Sequence, residues 1–127
     1  MVFVFGSNER GIHGGGAALV ARQRYGAVLY IGFGRQGDSF AIPTCSKPTG
    51  EPGHEITLDT LAYYVECFLL YANKHVGEDF KVTRIGCGLA GWEDLQIAPL
   101  FANAPTNCLF DSKWESFLPG KRFWGTV

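Results

Sequence analysis

Short apolar runs alternate along the chain with polar or glycine-rich loops and with stretches that repeat apolar residues at helical spacing. The runs are four to six residues long and end at turn residues, which indicates strands. They comprise residues 2–5, 27–32, 39–42, 81–85 and 107–110. Helices are predicted over residues 16–25, after Thr57 and over residues 94–101. The alternation favours an α/β fold with a largely parallel sheet.

The clearest helix begins after Thr57, a residue that caps helices well. Leu61, Val65 and Phe68 recur at helical spacing within it, and Gly77 marks its end. Its wide apolar face predicts packing against the sheet. Residues 114–127 form an aromatic tail without clear periodicity, and no element is predicted there.

Composition indicates one globular domain over residues 1–127, because 46% of the residues are hydrophobic and 14% are aromatic. Glycine is the outlier, with 17 residues, against a usual share of about 7%. Nine of these lie between Gly6 and Gly37. A local excess of this kind predicts loops that approach a ligand closely.

Charge and targeting patterns limit the function classes. The net charge is −1 and no basic cluster interleaves with aromatic residues, so nucleic acid is not an expected partner except as a modified substrate. The sequence shows neither a signal peptide nor an apolar run of membrane-spanning length, which predicts a cytoplasmic protein with no membrane partner. The four cysteines form no C-x-x-C pair, so we expect reduced thiols, no metal site and no cofactor.

The segment from Gly6 to Gly16 passes from an apolar run through a glycine-dense loop into a helix. Unpaired amides and the helix dipole at such a helix start favour an anion, and this predicts phosphate binding. No lysine follows the glycines as a P-loop requires, and the dinucleotide pattern fails at Leu19. The alternative is a tight turn without a ligand.

A second glycine loop, residues 86–94, follows the fourth predicted strand. Because the carboxyl ends of parallel strands lie along one edge of a sheet, the two loops are expected to face each other. A pyrophosphate held between them is the geometric expectation.

Three segments in register resemble macrodomains, which bind ADP-ribose. Residues 6–18 are similar to the first ligand loop of that family, and residues 42–47 and 82–100 resemble its DNA ADP-ribose glycohydrolase branch. Order and spacing agree over about residues 2–110, and the chain also resembles small phage-encoded macrodomain-like proteins. The resemblance implies a three-layer fold, with a largely parallel central sheet and helices on both faces.

The departures from that family affect recognition and catalysis. Macrodomains begin with extra strands that deliver an aspartate to adenine, so that contact is expected to be missing or replaced. Cys45 and Ser46 interrupt the Pro-Thr-Lys stretch. Relatives often have an Asp-Trp pair where this chain has Trp92, Glu93 and Asp94. The acidic residue is therefore expected at a different position from the family's.

Twelve residues of the two loops are candidates for ligand binding. Backbone amides of the glycine loops are expected to surround the diphosphate. Asn8 is expected to bind a ribose hydroxyl, His13 a phosphate, and Trp92 to stack on the nucleotide. The alternative roles are an Asx turn for Asn8, a solvated loop position for His13 and a core position for Trp92. The candidates are Asn8, His13, Gly14, Gly15, Gly16, Gly86, Cys87, Gly88, Leu89, Ala90, Gly91 and Trp92.

Lys47 and Asp94 are the candidate catalytic residues. The resemblance implies that Lys47 attacks the anomeric carbon, while Asp94 would act as a general acid or base. Their alternatives are a surface charge and a helix cap. We therefore expect a protein that binds ADP-ribose or a nucleotide derived from it. If the protein is encoded by a phage, this binding is expected to sequester a host defence signal in the host cytoplasm. The alternatives are an ADP-ribosyl glycohydrolase and a structural protein that assembles through its aromatic tail; the oligomeric state is left open.

Overall fold

The computed structural model describes residues 1–126, which form a six-stranded sheet with helices on both faces. The strands are β1 (Val2–Asn8), β2 (Gly34–Gln36), β3 (Ser39–Cys45), β4 (Phe80–Val82), β5 (Cys108–Asp111) and β6 (Arg122–Gly125). The helices are α1 (Gly16–Arg24), α2 (Leu58–Lys74) and α3 (Asp94–Ile97), and α3 continues as a 3-10 turn over Ala98–Phe101. A second 3-10 turn spans Ser112–Trp114.

The sheet order is β2-β3-β1-β4-β5-β6, and every neighbouring pair is parallel except β2 with β3. The α/β class with a largely parallel sheet is therefore confirmed. Side chains alternate across β1, where Val2 and Val4 face the larger core and Phe3 and Phe5 face the smaller one. The larger core packs against α2 and the α3 region, whereas the smaller core packs against α1.

Helix α2 forms as the apolar spacing predicts. Leu61, Val65 and Phe68 are buried, and the Phe68 ring contacts those of Phe40 and Phe80 edge-on. Burying side chains of this size contributes about 1.5–3 kcal/mol each. At the start of α2 the Thr57 hydroxyl accepts a hydrogen bond from the Thr60 amide at 3.1 Å, which confirms the predicted cap.

The predicted strand over residues 27–32 is wrong. Tyr30 has a φ of +73°, and its amide donates to the Gly11 carbonyl at 2.8 Å, so the segment follows the loop after β1 instead of the sheet. The position beside β3 is taken by β2, because a two-residue turn at Gly37 and Asp38 folds residues 34–36 back onto it. The apolar side chains of this segment had suggested a buried strand, but Val28, Tyr30 and Ile31 are exposed.

Strand β3 continues past Pro43, where the sequence predicted an end. β2 pairs only with residues 39–41, so β3 has a free edge at Pro43. A proline, which lacks the N–H of a sheet hydrogen bond, is tolerated at such an edge.

The aromatic tail contains β6, for which the sequence showed no period. Trp114 is buried, Phe117 and Phe123 pack against the larger core, and the Trp124 indole donates to the Val82 carbonyl at 2.9 Å. Lys81 Nζ lies 4.2 Å from the Trp124 ring centroid. These aromatic side chains contact their own chain, and assembly through the tail stays a prediction.

Candidate functional site

A cleft of about 590 Å³ opens at the carboxyl ends of β1, β3, β4 and β5. The connection from β1 runs through α1 on one face of the sheet, whereas the connection from β4 runs through α3 on the other. Neighbouring strands β1 and β4 thus form a topological switch point, the place where open α/β sheets bind ligands. The cleft lies where the two glycine loops were expected to meet.

The side chain of Asn8, the last residue of β1, holds the first loop, residues 9–15, through hydrogen bonds to the main chain of the loop. Its amide oxygen accepts from the Ile12 amide at 3.1 Å, and its amide nitrogen donates to the Ile12 carbonyl at 2.9 Å. Asn8 lines the cleft but is buried, and both polar groups of its side chain hold the loop. This is the Asx-type role; its contact with a ribose stays a prediction.

Gly14, Gly15 and Gly16 line the cleft and are exposed. A Cβ added at any of the three would meet no atom within 4 Å. Gly15 precedes α1 without a side-chain cap, so the amides of the first helical turn are free to bind an anion.

His13 differs from its prediction. Its ring is fully buried, stands edge-on to Phe5 at 5.4 Å, and does not line the cleft. Neither ring nitrogen has a hydrogen-bond partner among the described residues. Burial, and then the charge of Arg22, lower the pKa of His13, so the imidazole is neutral at pH 7. A contact with a ligand phosphate is not available from this position.

The second loop, predicted over residues 86–94, spans residues 83–93 in the structure because β4 ends at Val82 and α3 begins at Asp94, and it packs closely at its base. Gly86 has a φ of +75°, and an added Cβ would lie 2.9 Å from Trp92 Cδ1 and 3.3 Å from Thr44 Cβ. The Trp92 indole donates to the Thr44 carbonyl at 3.0 Å. Trp92 thereby fastens the loop to the end of β3 and does not line the cleft.

Beyond this base the second loop borders the cleft through Gly86, Cys87, Gly88, Leu89 and Ala90. Gly88 and Leu89 are exposed at the rim.

The remaining predicted residue of this loop, Gly91, turns the chain with a φ of +84° and lies outside the cleft.

Asp94, predicted as an acid or base, is occupied by structural contacts. Arg84 Nε lies 2.9 Å from Asp94 Oδ1 and Arg84 Nη2 lies 2.6 Å from Oδ2, while the Trp114 indole donates to Oδ1 at 2.7 Å. These contacts, led by Arg84, hold the pKa of Asp94 below its usual range. Asp94 does not line the cleft, so it is an ionised partner of Arg84 and is not placed for proton transfer.

Lys47 does line the cleft, on the loop after β3. Its Nζ donates to the Pro52 carbonyl at 3.1 Å, which ties the side chain to its own loop. The position allows contact with a bound ligand, and a covalent role stays a prediction.

The cysteines at the cleft are weak nucleophiles. Burial raises the pKa of Cys45, and burial together with Asp94 raises the pKa of Cys87 to about 12. Thiols with raised pKa values stay protonated at pH 7. All four cysteines are free, and within residues 1–126 no three His, Cys, Asp or Glu side chains come together to hold a metal ion.

Sequence reasoning missed Thr83, Arg84 and Asp111, which all line the cleft. Thr83 and Arg84 had been placed inside a predicted strand, but β4 ends at Val82. Asp111 follows the apolar residues of β5 directly. A polar residue just after a buried strand was the available signal, because this position lies at the ligand-binding edge of a parallel sheet.

Comparison of the chain with models of protein families, with curated proteins and with solved structures gave no significant match. Across residues 1–126 no helix combines the length and the apolarity that crossing a membrane requires.

Proposed function

We propose that the protein binds ADP-ribose or a closely related nucleotide in the cleft between the two glycine loops. The observation that carries this proposal is that the two loops face each other across the cleft at the switch point. Residues 14–16, with open space around them, and the start of α1 lie on one side, and residues 86–90 lie on the other. Backbone amides on both sides provide donors for a diphosphate. The cleft volume of about 590 Å³ lies within the range of small-molecule sites, roughly 300–1,000 Å³.

Binding without cleavage is the activity that the side chains support best. Asp94, the predicted acid or base, is held by Arg84 and Trp114 outside the cleft. The Asp111 carboxylate lines the cleft, but it is buried and its two oxygens accept from the Lys113 amide and the Thr126 hydroxyl. A bound nucleotide would then be retained intact. The resemblance to small phage-encoded proteins extends this proposal to sequestration of a defence signal in the cytoplasm of a host cell.

The second candidate is an ADP-ribosyl glycohydrolase, and the presence of Lys47 in the cleft lining favours it. In that reaction the Lys47 amine attacks the anomeric carbon and the glycosidic bond to the macromolecule breaks. Attack requires Nζ to reach the substrate, whereas in the structure Lys47 Nζ donates to the Pro52 carbonyl of its own loop at 3.1 Å. We therefore rank this activity second.

The test is a thermal-shift and calorimetric titration with ADP-ribose, NAD, cyclic ADP-ribose isomers and AMP. A ligand at about 100 times its Kd stabilises a protein by about 2.7 kcal/mol, which raises the Tm by several degrees. We expect such a shift with ADP-ribose or with another member of this set. No shift with any of them at millimolar concentration would contradict the assignment.

A further inference from the structure

The polar side chains that line the cleft fall into two groups. Ser7, Asn8, Thr44, Thr83 and Asp111 lie on its floor and are all buried. Each already has a hydrogen bond within the protein. The floor therefore offers a ligand few free side-chain acceptors.

The contacts on the floor are internal. The Ser7 hydroxyl donates to the Gly32 carbonyl at 2.5 Å, the Thr44 hydroxyl donates to the Ser7 carbonyl at 3.2 Å, and the Thr83 hydroxyl donates to the Val4 carbonyl at 2.7 Å. The Asp111 carboxylate accepts from the Lys113 amide at 2.9 Å. The Thr44 and Thr83 bonds join the ends of neighbouring strands, and the other two hold the adjoining loop and turn, so the floor is a structural network.

Three polar side chains of the lining retain exposed surface, namely Arg84, Lys47 and Thr49. Arg84 and Lys47 are cationic. Side chains read a base through donors and acceptors matched to its edge, and among these side chains the single hydroxyl of Thr49 does not supply that pattern. Cations and main-chain amides instead suit the oxygens of a phosphate.

Arg84 is the better placed of the two cations. Asp94 holds Nε and Nη2, while Nη1 has no hydrogen-bond partner in the part of the chain that the structure describes. A guanidinium carries five N–H donors, so three remain available beside the cleft. Asp94 fixes the orientation of the fork in advance, which reduces the entropy lost when an anion binds.

We propose that this cleft selects its ligand by the diphosphate and not by the base, with Arg84 as the phosphate-binding side chain and Asp94 as its positioning residue. The proposal rests on the proposed function and narrows it. The ligand class is then any nucleoside diphosphate or diphosphate-linked sugar that fits the cleft, whether its base is a purine or a pyrimidine.

The first test titrates the full chain with ADP-ribose, with ADP, GDP, CDP and UDP, and with adenosine. We expect the Kd values of the four diphosphates to agree within about threefold, which is less than the effect of one hydrogen bond to a charged group. We expect adenosine to show no measurable heat of binding. A preference for one base above about tenfold would overturn the proposal, because it requires base-edge contacts.

The second test compares Arg84→Gln and Arg84→Lys with Arg35→Gln. Arg35 is the matched control, because it pairs with both oxygens of Glu78 at 2.9 and 3.0 Å and has almost the same side-chain exposure, 27% against 28%, but lies outside the cleft. We expect Arg84→Gln to weaken ADP-ribose binding at least about tenfold and Arg35→Gln to leave it unchanged.

Arg84→Lys keeps a charge beside Asp94 and so protects against unfolding, but it lacks the planar fork, and we expect an intermediate loss of affinity. Melting curves show that each variant is folded. Wild-type affinity in both Arg84 variants would overturn the role of this residue while leaving the proposed function intact. If the wild type binds neither ADP-ribose nor any diphosphate, the proposed function fails and the inference fails with it.

Discussion

The two loops at the cleft are both glycine-rich, but different contacts hold them. The first loop is held from outside, because Tyr64 of α2 donates to the Glu9 carboxylate and Arg10 pairs with Glu51 at 3.3 Å. The second loop is held at its two ends, because Trp92 donates to the Thr44 carbonyl of β3 and Arg84 donates to Asp94 at the start of α3. The first loop carries a buried, neutral histidine, His13, whereas the second loop leads into a partly exposed, ionised aspartate, Asp94.

Within both loops the glycines serve two separate purposes. Gly11 and Gly86 lie at the bases of the loops with positive φ and with backbone or side chains against the missing Cβ. Gly15 and Gly88 lie at the rims with open space around them. Glycine content alone therefore does not distinguish a glycine required for packing from one that approaches a ligand. Substitutions at a base glycine and at a rim glycine should distinguish the two roles.

The largest effect is expected at a base glycine. In Gly11→Ala the new Cβ would lie 2.3 Å from the Ile31 nitrogen, at a φ of +68°. Left-handed strain and overpacking each cost about 1–3 kcal/mol, so we expect the free energy of unfolding to fall by about 3 kcal/mol or more in urea denaturation. Gly14→Ala is the control, because Gly14 is exposed and an added Cβ would meet no atom within 4 Å, and we expect it to change stability by less than about 0.5 kcal/mol. Equal losses would show that the two positions do not differ.

Rim glycines should affect binding instead. Gly15→Glu and Gly88→Glu each place a carboxylate where the diphosphate is proposed to lie, and neither new side chain meets a neighbour at its Cβ. We expect ADP-ribose affinity to drop at least about tenfold in calorimetry, with little change in Tm. Gly77→Glu, beyond α2 and also unobstructed, is the matched control. Normal binding by both rim variants would place the phosphate site elsewhere.

The two titratable groups should respond to different pH ranges. The lowered pKa of His13 means that the unfolded chain takes up its proton first, so stability falls as pH drops below about 6.5, by up to about 1.4 kcal/mol per pH unit. Asp94 has a lowered carboxyl pKa, so its contribution persists until well below pH 5.

Urea denaturation between pH 7 and pH 5 tests this difference. We expect His13→Phe to flatten the decline, and His54→Phe, at a histidine that is only half-buried, is the control for the loss of an imidazole. A wild-type free energy of unfolding that is constant over this range would argue against a buried neutral imidazole.

Lys47→Ala should produce the smallest effect. If the protein only binds, the loss of one exposed charge weakens ADP-ribose binding by less than about fivefold. Chromatography of ligand recovered from denatured wild-type protein should then return it intact. Cleavage of an ADP-ribosylated substrate by the wild type, abolished in Lys47→Ala with affinity retained, would establish the glycohydrolase instead.

Local patterns predicted much of the fold. The helical spacing of Leu61, Val65 and Phe68 predicted α2, and Thr57 marked its start, because cap and apolar face are encoded within a few residues. The alternation of strands and helices predicted the α/β class, and the glycine loops predicted which edge of the sheet carries the cleft. Residues 27–32 and β6 were missed, since pairing with distant strands, and not local apolarity, decides whether a short run becomes a strand.

The sequence by itself determined the class of fold, the two loops and the chemistry available in them. Only the tertiary structure decided which of those groups reach the cleft. It buried His13, paired Asp94 with Arg84 and brought Arg84 and Asp111 to the ends of β4 and β5. The reason is physical: an ionisable side chain takes its role from burial and from partners, and those are supplied by segments far away in the sequence.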